Sequence, residues 1–356
     1  MANPTDPQDP ARRDLLLPAD AAASGHASTG AGAVLAQATS EWDKTFPKSD
    51  RVDHQKVGFT NRYGIALVGD LYLPKERWAG RLPAIAVAGP FGAVKEQAAG
   101  LYAQEMAERG FAALAFDPSY VGESGGMPRY VASPDINTED FMAAVDCLGL
   151  HEAVDRGRIG MIGICGFGGM ALNAAAPDKR VRAVAVTSMY DMSRVMARGY
   201  HDAMTGDQRA ATLEALSRQR WDDAASDAVP ALAGGLPDAI DEATDPVTRM
   251  YHAYYKTDRG YHPRSLNSNG GWNVTSPLSF MNMPQLSCLH EISPRPTLLI
   301  AGSEAHSRYF SEDAHAAARD PRELVIIDGA DHCDLYDQKG IIPFDRLQGF
   351  FEEHLA

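Results

Sequence analysis

The stretch Met161-Ile-Gly-Ile-Cys165-Gly-Phe-Gly-Gly-Met-Ala-Leu-Asn-Ala-Ala-Ala176 decides how the chain is read. The apolar run Arg158–Ile164 leads into it, and a run of helix formers, Met170–Ala176, leads out. That pattern predicts a buried strand, a sharp turn and a helix, with Cys165 at the turn. A free cysteine in such a place is either a small buried hydrophobe or a nucleophile. The choice depends on partners elsewhere in the chain.

Working outward, the segment "HQKVGFTNRYGIALVGDLYLP" (residues 54–74) alternates apolar and polar positions and predicts two strands joined by a turn at Asn61-Arg62. Arg81–Gly89 and Gly110–Asp117 are apolar throughout, with a helix expected over Val94–Arg109 between them. A helix capped by Asn137 or Thr138 precedes the Arg158–Ile164 strand. Later strands are expected in "KRVRAVAVTSMY", "RPTLLIAG" and "RELVIID", with helices from about Phe310 and from Phe344. Continuous apolar strands alternating with helices imply an α/β fold, a mostly parallel eight-stranded sheet with helices on both faces. Residues 46–190 and 294–356 would form this core. Residues 191–293 show no clear strand: a charged helical part (Asp207–Asp227), a Pro/Gly/Asp loop (Val229–Pro246) and an aromatic part. They read as a helical lid inserted on the sheet.

Composition narrows the function classes. The chain has 356 residues and a formal net charge of −14, which argues against nucleic acid or an anionic membrane surface as partner. No apolar stretch approaches the roughly 20 residues of an integral membrane segment. The four cysteines form no CxxC pair and no zinc-ligand spacing, so free thiols are expected. Near the start, "ARRDLLL" and a following Ala/Gly/Ser tract resemble a twin-arginine export signal with Arg12 and Arg13 as its pair. Pro18, Asp20 and His26 interrupt its apolar part. Residues 1–45 are either a degenerate export signal or a disordered tail, which leaves localisation open between cytoplasm and periplasm.

The turn gives Gly163-Ile-Cys165-Gly-Phe-Gly168, close to the G-x-S-x-G pattern with cysteine for serine. Small neighbours suit a nucleophile held at positive φ, and a helix N-terminus aimed at the sulfur favours thiolate. Of the eleven histidines, His332 in "IIDGADHCDLYD" is best placed as base, because it follows the last strand at the carboxyl edge of the sheet. Glu304, in the loop after the preceding strand, is the first candidate for the acid that orients the imidazole, and Asp191 is its competitor. His306 beside it is a candidate pocket residue. The oxyanion hole is expected from the backbone N–H groups of Gly166 and of Phe91 in "VAGPFGAVKE"; Gly92 is the alternative to Phe91, and Pro90 has no N–H to give. The loop Phe116–Gly126 reads equally as a Gly/Ser turn and as a substrate contact. Within the insertion, Tyr254, Tyr255 and Trp272, with Tyr261 and His262, either line a substrate pocket or form the insertion's own core.

With strand, cysteine turn, acid loop and histidine loop in this order, the chain resembles the α/β-hydrolase superfamily over about Val57–Leu355. "GESGG", "GICGFGG" and "GADH" carry the likeness, and the cysteine at the turn resembles the dienelactone-hydrolase branch. The insertion is longer than in that branch, and Glu304 stands where aspartate is usual; fungal acyl or polyketide transferases are similar in carrying such a lid. The resemblance implies hydrolysis of a small-molecule ester, lactone or thioester through Cys165, His332 and an acid, by way of an acyl-enzyme, with no cofactor or metal. It equally admits transfer of the acyl or polyketide group to an acceptor. A non-catalytic binding protein, or a redox sensor pairing Cys165 with Cys333, is the alternative of another class. Oligomeric state, including a homo-oligomer, is left open.

Overall fold

The computed structural model describes residues 42–76, 80–226 and 230–356. Arg12, Arg13 and the expected tail therefore lie outside the described residues. Eight strands form one sheet in the order β1-β2-β4-β3-β5-β6-β9-β10. β1 (Val52–Thr60), β2 (Ala66–Pro74) and β4 (Ala112–Phe116) pair antiparallel in sequence. From β4 onward, β3 (Leu82–Ala88), β5 (Val154–Ile164), β6 (Val181–Thr187), β9 (Thr297–Gly302) and β10 (Arg322–Ile327) run parallel. The expected mostly parallel eight-stranded sheet is what the chain forms.

The reason is the apolar pattern. Every residue of β4 is buried, as are all but Pro83 of β3, so helices must cover both faces. On one side α2 (Pro134–Leu150) packs with α3 (Gly166–Ala175); on the other lie α1 (Ala98–Glu108) and α11 (Phe344–His354). α9 (Arg308–Ala317) covers β9 and β10. No described helix is long and apolar enough to cross a membrane.

Several boundaries differ from expectation. α2 begins a turn before Asn137, because Ser133 accepts from the N–H of Ile136 and Pro134 fits the first helical position. Asn137 instead joins its side chain to the Ser133 N–H and to Asp140. α1 starts at Ala98 rather than Val94, since residues 93–97 are spent on turns. The segment between β6 and β9 holds α4 (Met192–Arg198), α5 (Gly206–Ala225), α6 (Pro246–Tyr255), α7 (Leu266–Asn269) and α8 (Pro277–Asn282). It also contains strands, contrary to the reading above: β7 (Leu232–Ala233) pairs antiparallel with β8 (Trp272–Asn273). Two residues per strand are too few for a periodic signal.

A buried ionic cluster ties the sheet's carboxyl edge together. Lys95, fully buried, places its Nζ 2.6 Å from Glu96, 2.9 Å from Asp117 and 2.5 Å from Glu123. Burial works against its ammonium, but Asp117 and Glu96 outweigh that and its pKa is raised. Burial carries the Asp117 carboxyl up to about 6. Between the ordinary carboxylate pKa and that value the folded state holds a proton the unfolded chain has released, so this group's contribution to stability falls as pH rises through the window. Lys95→Met strands these carboxylates, and a loss of about 3–5 kcal/mol is expected at alkaline pH. The loss should be smaller near the acid end of the window, where Asp117 can take up a proton; denaturant melts at the two pH values check both magnitude and sign.

Candidate active site

β5 hands the chain to α3 through a single residue. Cys165 has φ 56° and ψ −128°, a conformation that costs a side-chain-bearing residue about 1–3 kcal/mol. Its neighbours hold it there: its N–H donates to Thr187 O at 3.0 Å, while its carbonyl accepts from Gly168 at 2.8 Å and Tyr190 at 2.9 Å. Glycine at 163 is required by close approach, since a Cβ there would stand 2.4 Å from Phe167 O. Cys165 is only 6% exposed.

Burial raises the Cys165 pKa, and the Tyr336 hydroxyl with the backbone N–H groups of Phe91 and Gly166 draws it back toward thiolate. Phe91 is held by the insertion. Asn267 Nδ2 donates to Phe91 O at 2.8 Å, and the Trp272 ring stacks on the Phe91 ring at 4.1 Å. Gly92 O accepts from Asn267 N and from Ser265 Oγ, each at 3.1 Å.

His332 is fully buried in the turn after β10. Its Nδ1 lies 2.6 Å from Ser307 Oγ and its Nε2 2.8 Å from the Tyr336 hydroxyl. Its ring packs on His306 at 4.9 Å, Tyr190 at 5.3 Å and Tyr251 at 5.6 Å. Burial, reinforced by His306, lowers its pKa well below the usual imidazole value.

Glu304 does not meet the imidazole, contrary to expectation. It is exposed, with its backbone N–H on Ala330 O at 3.0 Å and its carboxylate accepting from Ser303 Oγ at 3.2 Å. That backbone tie turns the side chain outward, and Ser307, just before α9, reaches the ring instead. Nor does Asp191 take the place: it caps α4, accepting from Arg194 N at 2.9 Å. Among the described hydrogen bonds no carboxylate reaches His332. His306 bonds the Tyr190 hydroxyl through Nε2 and is lowered to about 4 by burial.

The insertion packs over this group. Tyr254 and Tyr255 of α6 are 1% exposed, with their rings 5.1 and 6.3 Å from that of Tyr336. They pack on Tyr336, whereas Tyr261 is exposed on Asn269, and His262 is buried against Asp43 O. Arg259, just past α6, grips the short helix α10 (Asp334–Asp337) through Asp337, Asp334 and the Cys333 carbonyl. Tyr336 and Ser307 escaped the sequence reading. The usable signal for Tyr336 was its place one helical turn beyond His332.

Cys147, Cys165, Cys288 and Cys333 are all free thiols, as expected. Glu96, Asp117 and Glu123 are, among the described residues, the one carboxylate group close enough to share a cation. The Lys95 ammonium bonds all three, so the cluster suits that side chain and not a metal.

Comparison with known proteins agrees with this architecture. An uncharacterised protein of Pseudomonas aeruginosa is 61% identical over 341 residues, 94% of this chain and 90% of its own. Its crystal structure, 62% identical, superposes with a TM-score of 0.87, covering 89% of this chain and 98% of that one. The polyketide transferase GrgF of a Penicillium species is 24% identical over 88% of this chain and 98% of its own. Its crystal structure, described as an α/β hydrolase, has a TM-score of 0.70 at 23% identity and covers 85% and 99% of the two chains. The thiohydrolase AneE of Aspergillus aculeatus is 37% identical over 131 residues, 37% of this chain and 40% of its own. The sheet order and these neighbours make the fold that of an α/β hydrolase, with hydrolase and acyl or polyketide transferase relatives. The sequence model of the X-Pro dipeptidyl-peptidase (S15) family matches residues 63–280, and the chain belongs to this family.

Proposed function

We propose that the protein cleaves an ester, lactone or thioester through an acyl-enzyme on Cys165, with His332 as base. The observation that carries this reading is the buried Cys165 at positive φ between strand and helix, linked to His332 by Tyr190, whose N–H meets the Cys165 carbonyl at 2.9 Å and whose ring packs 5.3 Å from the imidazole. The N–H groups of Phe91 and Gly166, which favour the thiolate, would serve the oxygen of a carbonyl attacked by that sulfur, where negative charge develops. The sulfur forms the bond to the carbonyl carbon, and the thiol proton passes to His332. Collapse of the tetrahedral intermediate expels the alkoxide or thiolate, which takes that proton. Water or an acceptor then resolves the thioester.

The substrate class follows from the base. Ser307 orients the ring as a neutral partner, so imidazolium in this buried place lacks the counter-charge a carboxylate would supply. Such a base suits leaving groups that need little protonation, as in thioesters and activated esters. The names of the thiohydrolase and polyketide transferase relatives accord with this. Transfer to an acceptor is the second reading, favoured by the burial of Cys165, which at 6% exposure limits water. The insertion serves as the lid in either case. The likeness to dienelactone hydrolases rests on the cysteine turn alone.

Cys165→Ala is expected to abolish release of nitrophenol from aryl esters and of thiol from acyl thioesters, with an unchanged circular dichroism spectrum. Residual activity within about tenfold of wild type, a barrier change near 1.4 kcal/mol, would falsify the nucleophile assignment. Glu304→Gln should leave kcat/KM within about threefold, while Ser307→Ala should lower it about tenfold, in line with a lost hydrogen bond of about 1.5 kcal/mol; steady-state kinetics on the two variants decide between them. The base works only when neutral, and burial lowers the His332 pKa, so the acid limb of kcat/KM should fall below the ordinary imidazole value of about 6.5. A limb at or above that value in a pH–rate profile contradicts the assignment.

A further inference from the structure

We propose that Ser188 and Tyr190, in the short link from β6 to α4, are positioning residues that fix how Cys165 and His332 stand to each other. This rests on the acyl-enzyme reading above and adds what holds its two reacting groups in place. The link bonds the backbone of both. Thr187 O accepts the Cys165 N–H at 3.0 Å, and the Tyr190 N–H donates to the Cys165 carbonyl at 2.9 Å. Between those two bonds, Ser188 Oγ donates to the His332 carbonyl at 3.0 Å. A few consecutive residues thus grip nucleophile and base at once.

The link is itself closely held. Ser188 is fully buried, at φ 45°, with its N–H on Ile300 O at 2.8 Å. That left-handed backbone suits glycine better than a residue with a Cβ, and the bond from the hydroxyl to His332 gives serine a use there. A Cβ on Gly168 would stand 2.6 Å from Met189 Cβ, and one on Gly169 would stand 2.5 Å from Tyr190 O. This glycine pair lets α3 close on the link. The Tyr190 side chain carries the same hold to the imidazole, its ring lying 5.3 Å from that of His332, edge to face at 84°. Its hydroxyl bonds His306 Nε2 and the Tyr200 hydroxyl, and the Tyr251 hydroxyl donates to it at 3.2 Å. His306 packs on His332 at 4.9 Å, so one phenol hydroxyl locks two of the rings that bracket the base.

Such a hold acts on the rate of the chemical step. A misplacement of 1 Å between reacting groups costs on the order of a hundredfold. Loss of the Ser188 hydroxyl frees the His332 carbonyl, and loss of the Tyr190 hydroxyl frees the ring beside the imidazole. Neither change removes the sulfur, the imidazole or the backbone N–H groups of Phe91 and Gly166. The maximal rate of acylation should therefore fall while the concentration of ester at half saturation stays. Ser188→Gly separates this effect from stability. It takes away the tie to His332 and, with it, the Cβ that the left-handed backbone resists, so relief of strain offsets the lost hydrogen bond.

The test is acylation of the full-length protein by p-nitrophenyl acetate over a range of concentrations, followed as the nitrophenolate burst and by mass spectrometry of the Cys165 peptide. Tyr190→Phe and Ser188→Gly should each lower the maximal burst rate at least about tenfold and leave the half-saturating concentration within about twofold. Tyr190→Leu, which removes the ring as well, should be slower than Tyr190→Phe. If Ser188→Gly loses the native circular dichroism spectrum, Ser188→Ala takes its place with the same expectation. Absence of acyl Cys165 in the wild type overturns the acyl-enzyme reading and the positioning roles with it. Acylation of the wild type together with a maximal burst rate within about twofold of wild type in either variant, or a change confined to the half-saturating concentration, overturns the positioning roles alone.

Discussion

One backbone constraint organises the rest of the molecule: Cys165 held in a left-handed conformation between a buried strand and a helix. The residue would relax if left to itself, because non-glycine residues lose of order 1–3 kcal/mol there. It stays because its N–H and carbonyl are both committed, to Thr187 on the neighbouring strand and to Gly168 and Tyr190 on either side of the turn. The turn therefore depends on β6 lying in register beside β5, and on the crowded glycines that let β5, α3 and the Phe91 loop approach one another. With that geometry in place, α3 starts at Gly166 directly after the cysteine, and the Phe91 loop lies against it, 2.7 Å from where a Cβ at position 166 would stand.

The electrostatics of the centre are those of a dry site. Thiol, imidazole and six surrounding titratable side chains all sit where burial disfavours charge. Charge has instead been concentrated elsewhere, in the Lys95 cluster at the carboxyl edge of β4, where three carboxylates surround one ammonium. Chemistry that separates charge briefly, with a good leaving group and a soft nucleophile, is better matched to such a centre than one that needs a standing ion pair.

Much of this was legible in the residues themselves. The strand pattern and the Gly163–Gly168 turn specify the sheet and the position of Cys165, because burial on both faces and steric crowding leave few other readings. That His332, Phe91 and Gly166 lie on loops at one edge of the sheet follows from topology, since each comes after the carboxyl end of a parallel strand. Glu304 did not follow. Which residue of the post-β9 loop reaches the imidazole depends on a single backbone bond, Glu304 N–H to Ala330 O, and on where α9 starts. Neither leaves a mark in the composition of the loop. Tyr336 was hidden for a different reason: a tyrosine beside Leu335 reads as core, and it is core except for its hydroxyl. The β7–β8 ladder was too short to show a period.

The grip of Arg259 on α10 has a mechanical consequence. The same guanidinium that fastens the insertion also clamps the helical turn bearing Tyr336, through Asp334, Asp337 and the Cys333 carbonyl. Any displacement of α6 that admits a substrate must either carry this turn along or sever those bonds. Severing them leaves the turn held by the Tyr102 hydroxyl on the Leu335 carbonyl, whereas carrying the turn along draws the Tyr336 hydroxyl away from His332. Movement of the insertion that takes the turn with it is thereby coupled to the hydrogen bond on the His332 ring, and movement that breaks the Arg259 bonds is not.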